Sequence, residues 1–297
     1  MTPSMSTSAN SLPAASGRKR SAASPASPSL TSVEEPSSLP IVSFVTDLVS
    51  GFFEWFGNLG IFCIKVVRAG LTPPYEWREF IRQMDEIGSK SLPLVALAGS
   101  AIGAVLAMQA RTSLSRFGAK SLLPTGIVFS VIEEMGPIIT GLVVSGRVGA
   151  GIGAELASMK VTEQIDAIEA SAVNPFRFLA STRILACILM LPLLTLAGDA
   201  CAIVTGWLTE TMTDPISWNR FIDIGFHGAR FSDFLPPTFK TAVFGLIIGV
   251  IACFQGMSTR GGAEGVGRAA TNSVVVASLF VILADVVLVK LILVLFP

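Results

Sequence analysis

The apolar run at residues 122–145 decides the fold, and it reads LLPTGIVFSVIEEMGPIITGLVVS. A transmembrane helix needs about 20 predominantly apolar residues. At about 1.5 Å per residue, this run forms a helix about 36 Å long. Four further runs approach or reach the length of a span: residues 91–110, 184–205, 238–254 and 273–296. The sequence therefore predicts an all-α integral membrane protein in which residues 91–297 form a domain of five transmembrane helices.

The composition of the whole chain indicates the same class. Of its 297 residues, 51% are hydrophobic and 14% are charged, whereas a soluble domain has about 25% charged residues. The formal net charge is zero, so the charge balance gives no indication of a nucleic-acid partner. Four cysteines without a CxxC pair, and His227 as the single histidine, offer little material for a metal site or a catalytic triad. We expect no catalytic residue, no metal and no cofactor.

Two segments precede the first span. Residues 1–38 contain twelve serines and five prolines, and we expect them to form a disordered tail. They lack the apolar core of a secretory signal peptide and only loosely resemble a transit peptide. Residues 39–90 are predicted to form interfacial amphipathic helices. The first covers residues 40–70, for which a transmembrane span is the alternative, and the second is a short polar helix from about Trp77 to Gly88.

The orientation follows from the basic residues that flank the spans, because cytoplasmic loops carry more of them. Eleven lie on the side of the N-terminus: Lys65, Arg68, Arg78, Arg82, Lys90, Arg147, Lys160, Arg177, Arg183, Arg260 and Arg268. Six lie on the other side: Arg111, Arg116, Lys120, Arg220, Arg230 and Lys240. We therefore expect a cytoplasmic N-terminus and, after five spans, a C-terminus on the outside.

Two acids and a proline interrupt the second span. An ionised side chain at the centre of a membrane helix costs about 2.5–3.5 kcal/mol on insertion scales, so Glu133 and Glu134 should face a cavity or a partner. Neighbouring residues point about 100° apart on a helix, so we expect one to line a cavity and the other to contact a helix. A glutamate paired inside the bundle is the alternative. Pro137 cannot donate to the carbonyl of Glu133, which predicts a kink there.

Small residues recur every fourth position in two spans. The two stripes are Gly99, Gly103 and Ala107 in the first span, and Gly141, Ser145, Gly149, Gly153 and Ala157 at the end of the second span and beyond it. Helices in lipid pack through small residues that let their backbones approach closely. The stripes therefore predict helix–helix contacts, either within the chain or between two copies.

Residues 150–183 form the longest hydrophilic segment between predicted spans on the inner side. Apolar residues at helical spacing predict an amphipathic helix from Val161 to Ala172, which Asn174-Pro175 ends. Its polar candidates for contact with a partner are Lys160, Glu163, Gln164, Asp166 and Glu169. From the pattern alone, a helix that receives force from a partner and a solvated surface helix are equally good interpretations.

Several motifs, taken together and in order, resemble the MlaE permease family of ABC transporters. They are EMGP (134–137), SGRVG (145–149), AEL (154–156), MKVTEQIDA (159–167), NP (174–175), Arg183, LPLL (191–194) and GGAEGVG (261–267). The similarity runs from about Leu71 to the C-terminus. Family members often have Arg-Glu before Leu-Gly-Pro, whereas this chain has Glu133-Glu134 before Met-Gly-Pro and so lacks a cation that could meet a lipid phosphate.

The resemblance implies a homodimer that moves phospholipids between membranes together with a cytosolic ABC ATPase and an MCE-domain protein. It implies an interfacial helix before five spans, and a lipid pocket between the two copies that Glu133, Glu134 and Pro137 would line. The amphipathic helix would be the coupling helix that docks on the ATPase. The implied location is a bacterial inner membrane or, for the chloroplast members, the inner envelope.

The chain has no GxxxxGK[ST] motif, so ATP hydrolysis must come from another subunit. The first rival is an ion-coupled secondary transporter, in which Glu133, Glu134, Asp199 and Asp285 relay protons. Five spans without an evident inverted repeat argue against it. The second rival, an intramembrane enzyme, lacks an HExxH or GxSxG motif.

Overall fold

A computed structural model describes residues 40–73, 76–227 and 231–295, and within these ranges the regular structure is entirely helical. The tail predicted for residues 1–38 lies outside the described residues. The α-helices are α1 Pro40–Gly70, α2 Trp77–Gly88, α3 Leu92–Arg116, α4 Leu123–Ser130, α5 Gly136–Val144, α6 Ala150–Val161, α7 Gln164–Ala170, α8 Thr182–Thr211, α9 Trp218–Gly225, α10 Phe231–Met257 and α11 Ala263–Leu295. Wider π-helical turns occupy Val131–Met135, Ser145–Gly149 and Phe176–Ser181, and a 3-10 turn occupies Lys120–Leu122.

The chain divides into two units. The first is Met1–Gly51, of which the structure describes only the start of α1, and the second is Phe52–Pro297, which contains every span described below. Within the second unit, the rest of α1 buries Phe62 and Val66 in the core and leaves Phe53 and Ile64 more than half exposed. Helix α1 is therefore apolar on two sides.

Among the described residues, five helical stretches are long and apolar enough to cross a membrane: Trp77–Arg116, Lys120–Val161, Phe176–Thr211, Phe234–Met257 and Ala263–Leu295. Helix α1 is not among these five. The prediction of an all-α membrane protein with five transmembrane helices is confirmed. Each helical stretch extends beyond the apolar run that predicted it, because a helix continues through polar residues once its backbone hydrogen bonds are made.

Most of the hydrophilic segment predicted between the second and third spans is helical, because it continues the helices of those two spans. Helix α6 carries the second span on to Val161, and the third span already begins at Phe176. The prediction of one amphipathic helix from Val161 to Ala172 is wrong in its bounds, since the chain turns at Thr162 and Glu163 before α7 begins. The reason is backbone geometry: Glu163 has a φ of 60°, in the left-handed region, which breaks a right-handed helix.

The first stripe of small residues joins α3 to α8. A Cβ added to Gly99 would lie 2.4 Å from the carbonyl oxygen of Gly198, and one added to Gly103 would lie 2.0 Å from that of Ala202. No larger residue fits at either position, because the two backbones are already in contact. The first stripe therefore makes its contacts within the chain.

Candidate functional site

The second span widens at the point where its acids and proline lie. Residues Val131–Met135 form a π-helical turn, and the N–H of Gly136 donates to the carbonyl of Val131, five residues back. Pro137 follows directly and is buried. The sequence predicts a kink at Pro137, and a π-turn ends two residues before it. The π-turn shifts the hydrogen-bond register of the helix just ahead of the proline, which cannot donate a backbone hydrogen bond. π-Helical turns within long α-helices are frequently found at functional sites.

Charged side chains from three spans meet beside this turn. The ammonium of Lys240 in α10 donates a hydrogen bond of 3.0 Å to Oε2 of Glu134. The same nitrogen lies 3.0 Å from Oδ1 of Asp285 in α11, as an ion pair without the angular geometry of a hydrogen bond. We call Glu134, Lys240 and Asp285 the charge cluster.

Burial differs sharply among the three members of the charge cluster. The side chains of Lys240 and Asp285 are 1% and 4% exposed, whereas that of Glu134 is 39% exposed. An ion within a bilayer is tolerated when it is paired or faces a polar cavity. All three side chains are paired. The carboxylate of Glu134 is in addition partly exposed. Glu134 is therefore the member that an incoming polar group can reach.

The two predicted pocket residues diverge in the structure. Glu134 contacts α10 through Lys240, while Glu133 is an exposed residue of the same π-turn. A buried acid lies nearby on α8: Asp199 is 6% exposed and its Oδ1 has no hydrogen-bond partner among the described residues. A Cβ on Gly136 would lie 1.7 Å from that oxygen, so Asp199 packs directly against the backbone that follows the π-turn.

Lys240 is the site residue that the sequence reasoning misassigned. The expectation that it flanks the spans on the outer side is wrong, because it lies inside α10 and is almost fully buried. Arg183 of the inner set is likewise 2% exposed inside the third helical stretch, so without both residues the inner side carries ten basic residues and the outer side five, and the bias keeps its sign. The available signal was the lysine's position within an apolar run, in a chain whose other spans carry acids.

The second stripe of small residues joins the second span to α10 and α11. A Cβ on Gly141 would lie 3.2 Å from the ring of Phe244 in α10, and one on Gly153 would lie 2.3 Å from Oγ of Ser273 in α11. The hydroxyls of Ser145 and Ser278 are 2.7 Å apart. A Cβ on Gly149 would meet Ile248 of α10 at an ordinary van der Waals distance of 3.7 Å. These contacts hold α10 and α11, and with them Lys240 and Asp285, against the helix that carries Glu134.

The residues predicted to contact a partner lie at the end of α6, in the turn that follows and in α7. Lys160 and Asp166 form an ion pair of 2.7 Å across the turn, so these two candidates neutralise each other. Glu163, Gln164 and Glu169 are exposed. On the apolar side of α7, Ile165 is buried and Ile168 is partly buried, but Val161 and Ala172 belong to neighbouring segments.

A cavity of about 540 Å³ lies beneath this turn. Its wall combines apolar residues of α1 and α10 with the charged side chains Lys65, Lys160, Asp166, Glu169 and Arg260. The ammonium of Lys65 lies 5.6 Å from the ring centroid of Phe176, where it makes a cation–π contact. The short helix α7 is thus held by the buried Ile165, and its acids Asp166 and Glu169 line the cavity.

Comparison with known proteins identifies the family. The family described as permease MlaE matches residues 80–291. A probable ABC transporter permease of Rickettsia felis is 37% identical over 240 residues, which cover 81% of this chain and 93% of that protein. The chloroplastic protein TRIGALACTOSYLDIACYLGLYCEROL 1 of Arabidopsis thaliana is 32% identical over 237 residues, which cover 80% and 68%. A probable ABC transporter permease of Synechocystis is 31% identical over 208 residues, covering 70% and 79%. The chain therefore belongs to the MlaE family of transmembrane ABC transporter permeases.

Proposed function

We propose that this permease moves phospholipids across or between membranes and that Glu134 contacts the lipid head group on the way. The observation that carries the proposal is the charge cluster, in which a partly exposed carboxylate is held by a buried lysine within the membrane. A solvated head group entering a bilayer needs polar partners, because an unsatisfied polar group there costs several kcal/mol. The partly exposed carboxylate of Glu134, together with the exposed residues of the π-turn Val131–Met135, supplies such a partner.

Glu134 is positioned for this role by its neighbours. Lys240 fixes the carboxylate from one side, and Asp285 holds the lysine in place from the other. The carboxylate of Glu134 remains 39% exposed, and in the proposed homodimer it lines a pocket shared with the second copy. The homodimer and its lipid pocket, lined by Glu133, Glu134 and Pro137, are part of the proposal and are supported by family membership.

The energy would come from a separate ATPase that docks on the turn between α6 and α7. Membership in a family of ABC transporter permeases supports an ATPase partner, and the chain carries no nucleotide-binding motif of its own. The exposed acids Glu163 and Glu169 suit a basic surface, and Ile165 ties their segment to the bundle. The rest of the assembly is an MCE-domain protein on the far side. The proposed location is a bacterial inner membrane, with a chloroplast inner envelope as the alternative.

Transport by reconstituted permease tests the role of Glu134. The permease and the ATPase that co-purifies with it would be placed in liposomes with a fluorescent phospholipid, and ATP-dependent lipid transfer would be measured. Glu134→Gln should lower the rate at least about tenfold while the dimer and the ATPase remain bound. Glu264→Gln, which makes the same chemical change at an exposed acid outside the proposed pocket, is the control and should leave the rate unchanged. Equal rates for Glu134→Gln and wild type would refute the contact, and lipid movement driven by a proton gradient without ATP would favour the secondary transporter.

Docking is tested separately, with the ion pair of the turn left intact. The double variant Glu163→Lys/Glu169→Lys should lower ATPase recovery during permease purification. The control is Glu264→Lys, which changes an exposed acid at the start of α11 on the same side of the membrane. Unchanged ATPase recovery in the double variant would place the docking surface elsewhere.

A further inference from the structure

A second cavity lies at the start of the third span, and Glu134 is not among the residues that line it. It has a volume of about 270 Å³ and opens between the end of α1, the start of α2 and the first turns of the third span. Its lining includes Glu76, Trp77, Phe80, Arg177, Leu185 and Leu189. Glu134 is 14 residues after the start of the second span at Lys120, whereas this cavity lies where the third span begins. It is therefore distinct from the proposed transport site.

One wall of the cavity is apolar and exposed along a transmembrane span. Leu185 and Leu189 are one helical turn apart on α8, and they are 47% and 50% exposed although they belong to a transmembrane span. Trp77 is 65% exposed at the start of α2 and packs edge-on against Phe80. Tryptophan favours the level of the lipid head groups. The cavity thus runs from the head-group level along an apolar helix face into the acyl region.

An arginine without full pairing stands at the polar end of this cavity. Arg177 lies in the π-turn Phe176–Ser181, and its Nε is buried and has no hydrogen-bond partner among the residues that the structure describes. Its Nη1 reaches the carbonyl of Pro73 only at 3.5 Å. Arg177 lines the cavity, and a guanidinium offers a fork of donors that matches a phosphate. Glu76 lines the same cavity and would suit a head-group ammonium.

We propose that this cavity binds one phospholipid, with its phosphate on Arg177 and one acyl chain along Leu185 and Leu189. The occupant is a lipid because the polar donors and the apolar, membrane-facing wall belong to one continuous cavity. A bound lipid would join α1 and α2 to the third span.

Photolabelling in nanodiscs tests the site. The probe is a phosphatidylethanolamine with a diazirine midway along one acyl chain, and its adducts are located by peptide mass spectrometry. We expect adducts at Leu185, Leu189 or Phe80, and at least about tenfold less labelling for a diacylglycerol that carries the same diazirine. Arg177→Gln should abolish this difference between the two probes, whereas Arg78→Gln, a change of the same charge at an exposed position on α2, should preserve it.

A second variant separates the acyl site from the phosphate site. Leu185→Trp should block the cavity and remove the adducts while the protein still elutes as a single species. Leu193→Trp, at another lipid-exposed position of α8 that does not line the cavity, should leave them unchanged. Three results would each overturn the proposal: equal labelling of Arg177→Gln and wild type by both probes, adducts that persist in Leu185→Trp, or displacement of the probe by a partner protein's transmembrane peptide but not by excess phospholipid.

Discussion

Replacing Lys240 by methionine removes the cation at the centre of the charge cluster while keeping the length and the apolar stem of the side chain. In the folded protein, its ammonium lies 3.0 Å from both Glu134 Oε2 and Asp285 Oδ1. The variant leaves a carboxylate that is 4% exposed without a counter-charge, and a second carboxylate close to it. Asp285 would then have to take up a proton or distort the packing between α10 and α11.

The size of the effect follows from these distances and burials. At 3.0 Å and an effective dielectric constant of about 20, each attraction is roughly 5–6 kcal/mol. Desolvation of the buried ions offsets several kcal/mol of this, so removing one partner of a buried pair costs about 3–5 kcal/mol. Glu134, which is 39% exposed, keeps part of its hydration. Most of the cost of Lys240→Met should therefore come from Asp285.

The free energy of unfolding can be measured by titrating the purified permease with SDS in mixed micelles. We expect Lys240→Met to lower it by about 3–5 kcal/mol and the double variant Lys240→Met/Asp285→Asn to recover at least about 2 kcal/mol of that loss. The control is Lys160→Met, which breaks the exposed pair with Asp166 and should cost about 1 kcal/mol or less. If Lys240→Met and Lys160→Met cost the same, the lysine of the charge cluster does not neutralise a buried acid and the reasoning fails.

Three further expectations can be read in the same assay. Gly153→Ala places a Cβ 2.3 Å from Ser273 Oγ and should destabilise the protein by about 1–3 kcal/mol, which Ser273→Gly should partly restore. Ala172 has a φ of 62°, so Ala172→Gly should stabilise the protein by roughly 1 kcal/mol. The control Ala167→Gly, inside α7, should destabilise it by roughly 1 kcal/mol. The opposite signs would refute the assignment of backbone strain to Ala172. The hydrogen bond from Arg111 on α3 lowers the pKa of Asp214. The stabilisation that ionised Asp214 provides should therefore be present above about pH 4 and fade as the pH falls through the lowered pKa. Asp214→Asn should accordingly be less stable than wild type at pH 6 and equal to it in strong acid, and a pH-independent difference would contradict this.

The candidate site could be predicted only in part from sequence. Two acids and a proline in an apolar run indicated a polar interruption in the second span, because charges are costly in lipid wherever they occur. The pairing of Glu134 with Lys240, more than 100 residues away, was not predictable, since periodicity within one helix gives no information about the rotation of another. The same limit applies to Asp199, whose close approach to Gly136 depends on how α8 crosses the π-turn.

The sequence by itself determined the class of the protein, because the requirement that backbone groups be satisfied inside a bilayer leaves an apolar run of span length only one structure, the helix. It also determined which residues allow close packing, since glycine and serine have that property in any fold. Only the tertiary structure decided where the helices end and which charges are paired. Helix α6 continues past the apolar run to Val161, Glu163 ends it through a left-handed backbone, and Lys160 pairs with Asp166 across the turn that results. These features depend on contacts between residues distant along the chain or on one backbone dihedral angle, and neither leaves a periodic pattern in the sequence.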